Sequence, residues 1–447
     1  MQYKELTEKL VKKCLHKGAD EAEVYLQSNH NLRIDVHDGE IETVQEAASH
    51  GVGFRIFLKG KMAFSGCNDF SENALNSAIE NAIRFARNAT PDENNVLPEN
   101  RGITEVEGLY DPLIIQVPMQ KKIELAKLLE KLARKDERIT KSGETRYAEG
   151  EGEIFVANSH GLSKSHKSSF CSLYVMVVAE KGDQKSTGEE RCYRRFFSDL
   201  EHPEKIAERA AHNAFEMLDP QMVKTQRASV IFDPDVSYAI LLGIVQAING
   251  ERVLQGASFL ANKMGQKIAA ELVSLIDDGT VPKGLRSKPF DGEGVPTQKR
   301  MIVDSGVLKG FMYNTMVAKR AGAESTGNAY REGYRDLPEI GQHNFFMSAG
   351  KNTVHDIIEV TQKGLYLKDV TGYGINPVNG NFSGGASGFW VENGKIVFPV
   401  KGLTIAGSAF EMLNGIDMVA DDLDMNRGFA GISTPTFRIK EMQIGGE

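Results

Sequence analysis

Apolar residues Leu6, Leu10, Val11, Cys14 and Leu15 return at helical spacing along the first stretch of the chain, and Gly18 closes it. The pattern then switches to strands. EVYLQS, NLRIDVHD, EIETVQEA, GVGFRIFL and KMAFSG form a meander with turns at Asp38-Gly39 and Lys59-Gly60. Ser71 opens a second helix carried by Leu75, Ile79, Ala82, Ile83 and Ala86, which stops near Thr90-Pro91. Residues 92 to 112, rich in Asn, Glu, Pro and Gly, read as a linker. From Pro118 the plan returns: a helix with Ile123, Leu125, Ala126, Leu129, Leu132 and Ala133, then strands TRYAEG, EIFVANS, SSFCSLYVMVVAE and RCYRRFF, then a helix from His202 to Leu218. Helix, meander, helix twice over predicts a duplicated α+β layer.

The remainder is patterned differently. ASVIFDP reads as a strand entering a helix, with Asp233 as N-cap and Pro234 at the first helical position. A second apolar helix is predicted over Phe259 to Ala270. Beyond it the chain is rich in strands and glycine, with hairpins at Met301 to Phe311 and around Asn393-Gly394, a pair suited to a type I′ turn. Gly380, Gly384, Gly385 and Gly388, interleaved with Asn and Ser, predict a flexible loop on the surface or along a cavity. The fold class expected is α+β: helix and antiparallel-meander layers, then a strand-rich, glycine-rich C-terminal domain. The domain boundaries expected are 1–112, 113–225 and 226–447, the second domain reading as a repeat of the first.

Charge and cysteine usage narrow the function classes. A net charge of -8 and a pI near 5.8 argue against a broad electrostatic hold on nucleic acid. Cys14, Cys67, Cys171 and Cys192 are scattered without a CxxC pair, as a reducing cytoplasm permits. The first stretch carries charges throughout and no run of about 18 apolar residues occurs, so neither a signal peptide nor a membrane span is expected. The ten histidines offer no pair one helical turn apart with an adjoining Glu. There is no G-x-S-x-G elbow, and Gly372-Tyr373-Gly374 lacks the third glycine and helix start of a dinucleotide fingerprint. No catalytic residue and no metal ligand is therefore assigned. One polar segment, Glu324 to Glu332, stands out: Gly327 permits close backbone approach, and Asn328 and Arg331 offer donors to peptide carbonyls or a carboxylate. Ser325, Thr326, Gly327, Asn328 and Arg331 are the substrate-binding candidates, set against the plainer reading of a solvated turn with an ordinary Arg.

The segments SLIDDGTVP, IVDSGVLKGFMYNT, STGNAYRE, SGGASGFWVENGKIVFPVKGLTIAGSAFEML and STPTFRIKEMQIGGE resemble the TldD/PmbA family, whose PmbA members are also called TldE and were once labelled modulators of DNA gyrase. The resemblance implies an N-terminal α+β region before a large strand-rich domain, and a heterodimeric peptidase acting on unstructured peptides. TldD members carry a HExxxH zinc motif on a helix just before the equivalent of Glu271 to Thr280, and a Cys ligand near the C-terminus. Here LLGIVQAINGERVLQGASFLANKMGQKIAA contains no His, and residues 421 to 435 contain no Cys. The resemblance thus points to the PmbA/TldE-type subunit: non-catalytic, without a cofactor of its own, binding extended peptide beside a zinc-bearing TldD-type partner or forming a homodimer. The alternatives are a peptidase in its own right with an unrecognised metal site, and a regulatory protein for gyrase or a toxin–antitoxin system.

Overall fold

The computed structural model describes residues 2–372, 374–427 and 429–447. Tyr373, in the middle of the Gly372-Tyr373-Gly374 run, and Gly428, in the cysteine-free segment, lie outside the described residues. Six strands build the N-terminal half: β1 (Glu21–His37), β2 (Glu40–Leu58), β3 (Lys61–Cys67), β4 (Ile139–Asn158), β5 (Ser163–Lys181) and β6 (Gln184–Arg194). They form one antiparallel sheet in the order β3-β2-β1-β4-β5-β6. Several short strands expected from the sequence are therefore single long ones. EVYLQS and NLRIDVHD run on as β1 because the polar stretch between them stays paired on both sides, Asn29 with Ser49 and Gly152, His30 with Ala48 and Glu151. Ladder hydrogen bonds come from the backbone and do not require apolar side chains.

Alternation sorts each strand into two faces. On β1 the residues Ala22, Val24 and Leu26 pack with α1 (Gln2–His16) and α2 (Glu72–Asn88). Further along the same face, Leu32, Ile34 and Val36 join a second core under α3 (Met119–Ala133) and α4 (Pro203–Phe215). Ser71 caps α2 by accepting from the Ala74 N–H. At the hairpins, Asp38-Gly39 takes φ of 51° and 78°, Lys59-Gly60 52° and 75°, and Asn393-Gly394 49° and 75°, the consecutive positive values that a type I′ turn needs.

The C-terminal half contributes β7 (Gln226–Phe232), β8 (Leu275–Asp278), β9 (Lys299–Asp304), β10 (Val307–Leu308), β11 (Ala329–Tyr330), β12 (Glu339–Ile340), β13 (Asn344–Met347), β14 (Lys363–Thr371), β15 (Asn381–Glu392), β16 (Lys395–Ser408), β17 (Ile416–Val419), β18 (Ile432–Ser433) and β19 (Phe437–Gly445). Two larger sheets result, β16-β15-β14-β7-β19-β17 and β10-β9-β8-β13-β18, with β11-β12 as a small pair. Val230, Leu365 and Trp390 from the first sheet share a core with Leu275, Val303 and Phe345 from the second and with Ile240, Leu241 and Ile244 of α5 (Pro234–Ala247). The mixed α+β class read from the sequence is the observed one.

Three local expectations are corrected. The glycine-rich stretch is a loop only up to Gly380; from Asn381 it is β15, paired with β14 and β16. Its glycines mark crowding rather than slack. A methyl group at Gly384 would lie 2.7 Å from the Thr371 carbonyl oxygen, and one at Gly388 would collide with the Tyr366 carbonyl. Residues 259 to 270 form turns instead of a helix, because Asn262 and Gly265 take positive φ and the backbone pairs elsewhere, Gly265 N–H with Leu308 O and Ile268 N–H with Gly306 O. The 92–112 segment is no loose linker: Thr104 N–H donates to Pro289 O at 3.0 Å, the Thr104 hydroxyl to Thr297 O at 2.6 Å, and Lys283 N–H to Glu107 O at 3.0 Å. It lies in the seam between the two halves of the chain.

Candidate functional site

The face of the N-terminal sheet turned away from the helices meets the segment 277–344, and this seam holds the sequence-derived candidates. A small apolar patch of Tyr25, Val156, Leu162 and Phe290 sits within it. Around the patch the contacts are charged and buried. Arg55 on β2 places Nη2 2.7 Å from Glu23 and Nη1 2.9 Å from Glu293. Arg331 donates from Nη2 to the other oxygen of Glu23, from Nε to Gly292 O and from Nη1 to Asp336 O, both at 2.9 Å, and stacks over Tyr25. All four side chains of this quartet are almost wholly buried. Taking such charges out of water is tolerated only when each is matched by an opposite charge or a hydrogen bond.

The other candidates form a second buried knot. The Thr326 hydroxyl donates to Asn328 Oδ1 at 2.6 Å, and accepts from the Tyr313 N–H. Asn328 Nδ2 reaches Asp277 at 2.7 Å and Gly341 O at 3.1 Å, while Asp277 also takes the His343 N–H at 2.8 Å and faces His343 Nδ1 at 3.1 Å. Gly327, at φ 72°, lets the backbone lie against Pro296 O, where a side chain would not fit. Ser325 alone of the five keeps appreciable exposure. The five thus lie along one segment, but Arg331 works with the N-terminal sheet and Thr326 and Asn328 with β8.

Sequence reading missed the residues that bring the halves together. Arg195 grips the carbonyls of Ser169, Gly284, Leu285 and Ser287, and burial draws its pKa down to about 10. Lys164 donates to Gly294 O at 2.6 Å and to Gly102 O. The available signal was a lone basic residue inside an apolar run, as Arg55 is in GVGFRIFL. Asp291 accepts the N–H groups of Glu293, Val295 and Ala329, yet burial and neighbouring Glu293 push its carboxyl up to about 7. In the unfolded chain this group ionises near pH ~4. Its contribution to stability is complete below that pH and is lost as pH rises to about 7. Asp291→Asn is expected to shrink the fall in urea midpoint between those two pH values; an unchanged profile would assign the fall elsewhere.

A cavity of about 420 Å³ lies apart from the seam, between α4, β6, the start of α5 and β14. Its charges are largely matched: Arg427 holds Asp235 bidentately at 2.6 and 2.8 Å, and Lys368 holds Asp233 at 2.8 Å. The metal-binding helix implied by the resemblance finds no counterpart in ligands. α5 buries Ile240, Leu241 and Ile244, and Asp233 at its start is occupied by the Asp235 N–H, Tyr366 and Lys368. Among the described residues no three His, Cys, Asp or Glu side chains gather where they can hold a metal. Among the described residues no helix is long and apolar enough to cross a membrane.

Comparison with known proteins agrees with this architecture. Residues 22–86, 112–218 and 225–446 match domain 1, the central domain and the C-terminal domain of the PmbA/TldA metallopeptidase models. The chain is 31% identical over 436 residues to a protein named metalloprotease PmbA homolog of Haemophilus influenzae, covering 96% of this chain and 93% of that one. It is 26% identical to a metalloprotease TldD homolog of the same organism, covering 96% and 94%. The crystal structure of TldE from Thermococcus kodakarensis superposes with a TM-score of 0.90 at 27% identity, covering 98% of this chain and 99% of that one. With its three domains matched in order and its whole length paralleled by a PmbA relative and a TldE structure, the chain belongs to the PmbA/TldE family of metallopeptidase proteins.

Proposed function

We propose that this chain is the non-catalytic subunit of a TldD/TldE-type metallopeptidase, binding extended, unstructured peptide while a TldD-type partner supplies zinc and the hydrolytic water. One observation carries the reading: a chain aligned end to end with metallopeptidase relatives has no donor set for a metal among its described residues, on α5 or elsewhere. A metal that activates water needs protein ligands to fix it and an open position for substrate. The segment with Ser325, Thr326, Gly327, Asn328 and Arg331 backs the peptide path in this reading. Ser325 lies at its exposed end, and the buried Asn328 and Arg331 hold the backbone in place. Partner and substrate meet in a heterodimer in the cytoplasm, with a homodimer as the form taken without the partner.

The test is turnover of a labelled unstructured peptide by the purified chain, by a HExxxH-bearing TldD-type protein, and by their mixture, each with and without chelator. Turnover at least tenfold above either component, abolished by chelation, is the expected result. Chelator-sensitive turnover by this chain alone would overturn it.

A further inference from the structure

The cations of the seam are unevenly matched. Arg55 and Arg331 have carboxylate partners and Arg195 has four carbonyls, but Arg286, Lys288 and Arg300 form no ion pair among the described residues. Each is only partly exposed. Arg286 and Lys288 come from one turn and the irregular residues after it, and lie over the same ring, 5.4 and 5.9 Å from the centre of Tyr330. Arg300 stands on β9 directly across from Asp277 on β8, beside Gly310, and its Nε is buried with no acceptor. A buried guanidinium donor without an acceptor is costly unless something external supplies one.

Asp277 is the carboxylate that Lys288 and Arg300 share electrostatically, and its oxygens are already taken by Asn328 and His343. The other nearby acid, Asp291, has its carboxyl pushed up to about 7 by burial and by Glu293, so it offsets less of this charge than an ordinary carboxylate would. The field of these cations also reaches His166, where burial, Lys288 and Arg195 pull the imidazole pKa down to about 4. Arg286, Lys288 and Arg300 therefore carry positive charge that no ion pair among the described residues offsets, on side chains that each keep some exposure.

We propose that Arg300, Lys288 and Arg286 form a carboxylate-binding site for peptide, taking either a free C-terminus or an Asp or Glu side chain. The proposal rests on the peptide-binding reading above and names the substrate feature it recognises. Arg300 presents the planar donor pair suited to both oxygens of a carboxylate, and Lys288 adds a point charge from the Tyr330 side.

The experiment is fluorescence anisotropy of one labelled, unstructured hexapeptide on the full chain in three forms: free acid, amide, and amide with Glu as the last residue. The free acid is expected to bind about tenfold more tightly than the plain amide, the gain of one charge-assisted contact. Arg300→Gln and Lys288→Gln, checked for unchanged melting, bring it down to the amide's affinity. A Glu-ended amide that matches the free acid extends the site to side-chain carboxylates, and one that matches the plain amide restricts it to the C-terminus. Equal binding of all three forms, or a preference that survives both substitutions, overturns the site. Should no form bind, the peptide reading fails, and the site is judged by titrating N-acetylglycine against the Arg300 Nε–H resonance of the wild-type chain. A saturable shift upholds the site and no shift rejects it.

Discussion

Arg55→Ala is expected to destabilise the chain by about 3–5 kcal/mol, the range for removing one member of a buried ion pair. The magnitude follows from what is left behind. Glu23 keeps Arg331, but among the described residues Glu293 loses its only ion-pair partner and retains just the Thr315 N–H at 2.8 Å. Neither carboxylate can recover water without separating the sheet from the segment 277–344. The loss is read from urea unfolding of the full chain, and the control is Arg55→Met combined with Glu293→Gln. Removing the charge on both sides is expected to restore part of the loss, because matched deletion leaves no orphaned ion. A loss below about 1 kcal/mol for Arg55→Ala, the scale of exposed pairs, would mean that water reaches the quartet.

Gly388→Val is expected to cost about 3 kcal/mol, at the upper end of overpacking effects. At this position the pairing register of β15 shifts against both neighbours, and the new Cβ meets the Tyr366 carbonyl, a backbone atom that cannot rotate away. Unfolding curves on Gly388→Ala and Gly388→Val are expected to show graded losses. The contrasting position is Gly402, whose nearest neighbour would be the flexible Met222 side chain 3.4 Å away, although its φ of 77° still favours glycine. Equal tolerance of Ala at 388 and at an open turn would show that the strand shifts to make room.

Local signals proved readable where the chain's own neighbours decide the structure. Asp233-Pro234 starts α5 with the Asp233 carboxylate on the Asp235 N–H at 3.0 Å, as the cap pattern predicts. The Asn393-Gly394 turn is set by the conformational freedom of two residues. What could not be read depends on distant partners. The run through Gly384, Gly385 and Gly388 looks like slack in one dimension and is a close-packed ladder in three. Arg331 attracted attention for its donors, but those donors are engaged within the chain, one of them with Glu23, 308 residues away. That Arg300 lacks an ion pair is equally invisible in sequence, since only the arrangement of strands shows that Asp277, across from it on β8, already has its oxygens taken by Asn328 and His343.

β1 carries a further consequence. One face of this single strand contributes to both helix-covered cores, and its other face supplies Glu23 and Tyr25 to the seam. Loosening β1 anywhere exposes apolar surface in two places and breaks a charged contact in a third. The helical layers therefore behave as one cooperative unit in amide exchange, and a fragment ending within 92–112 would leave β1 without β4 along its open edge. The strand acts as a shared hinge pin, coupling the melting of the N-terminal half to undocking of the C-terminal one.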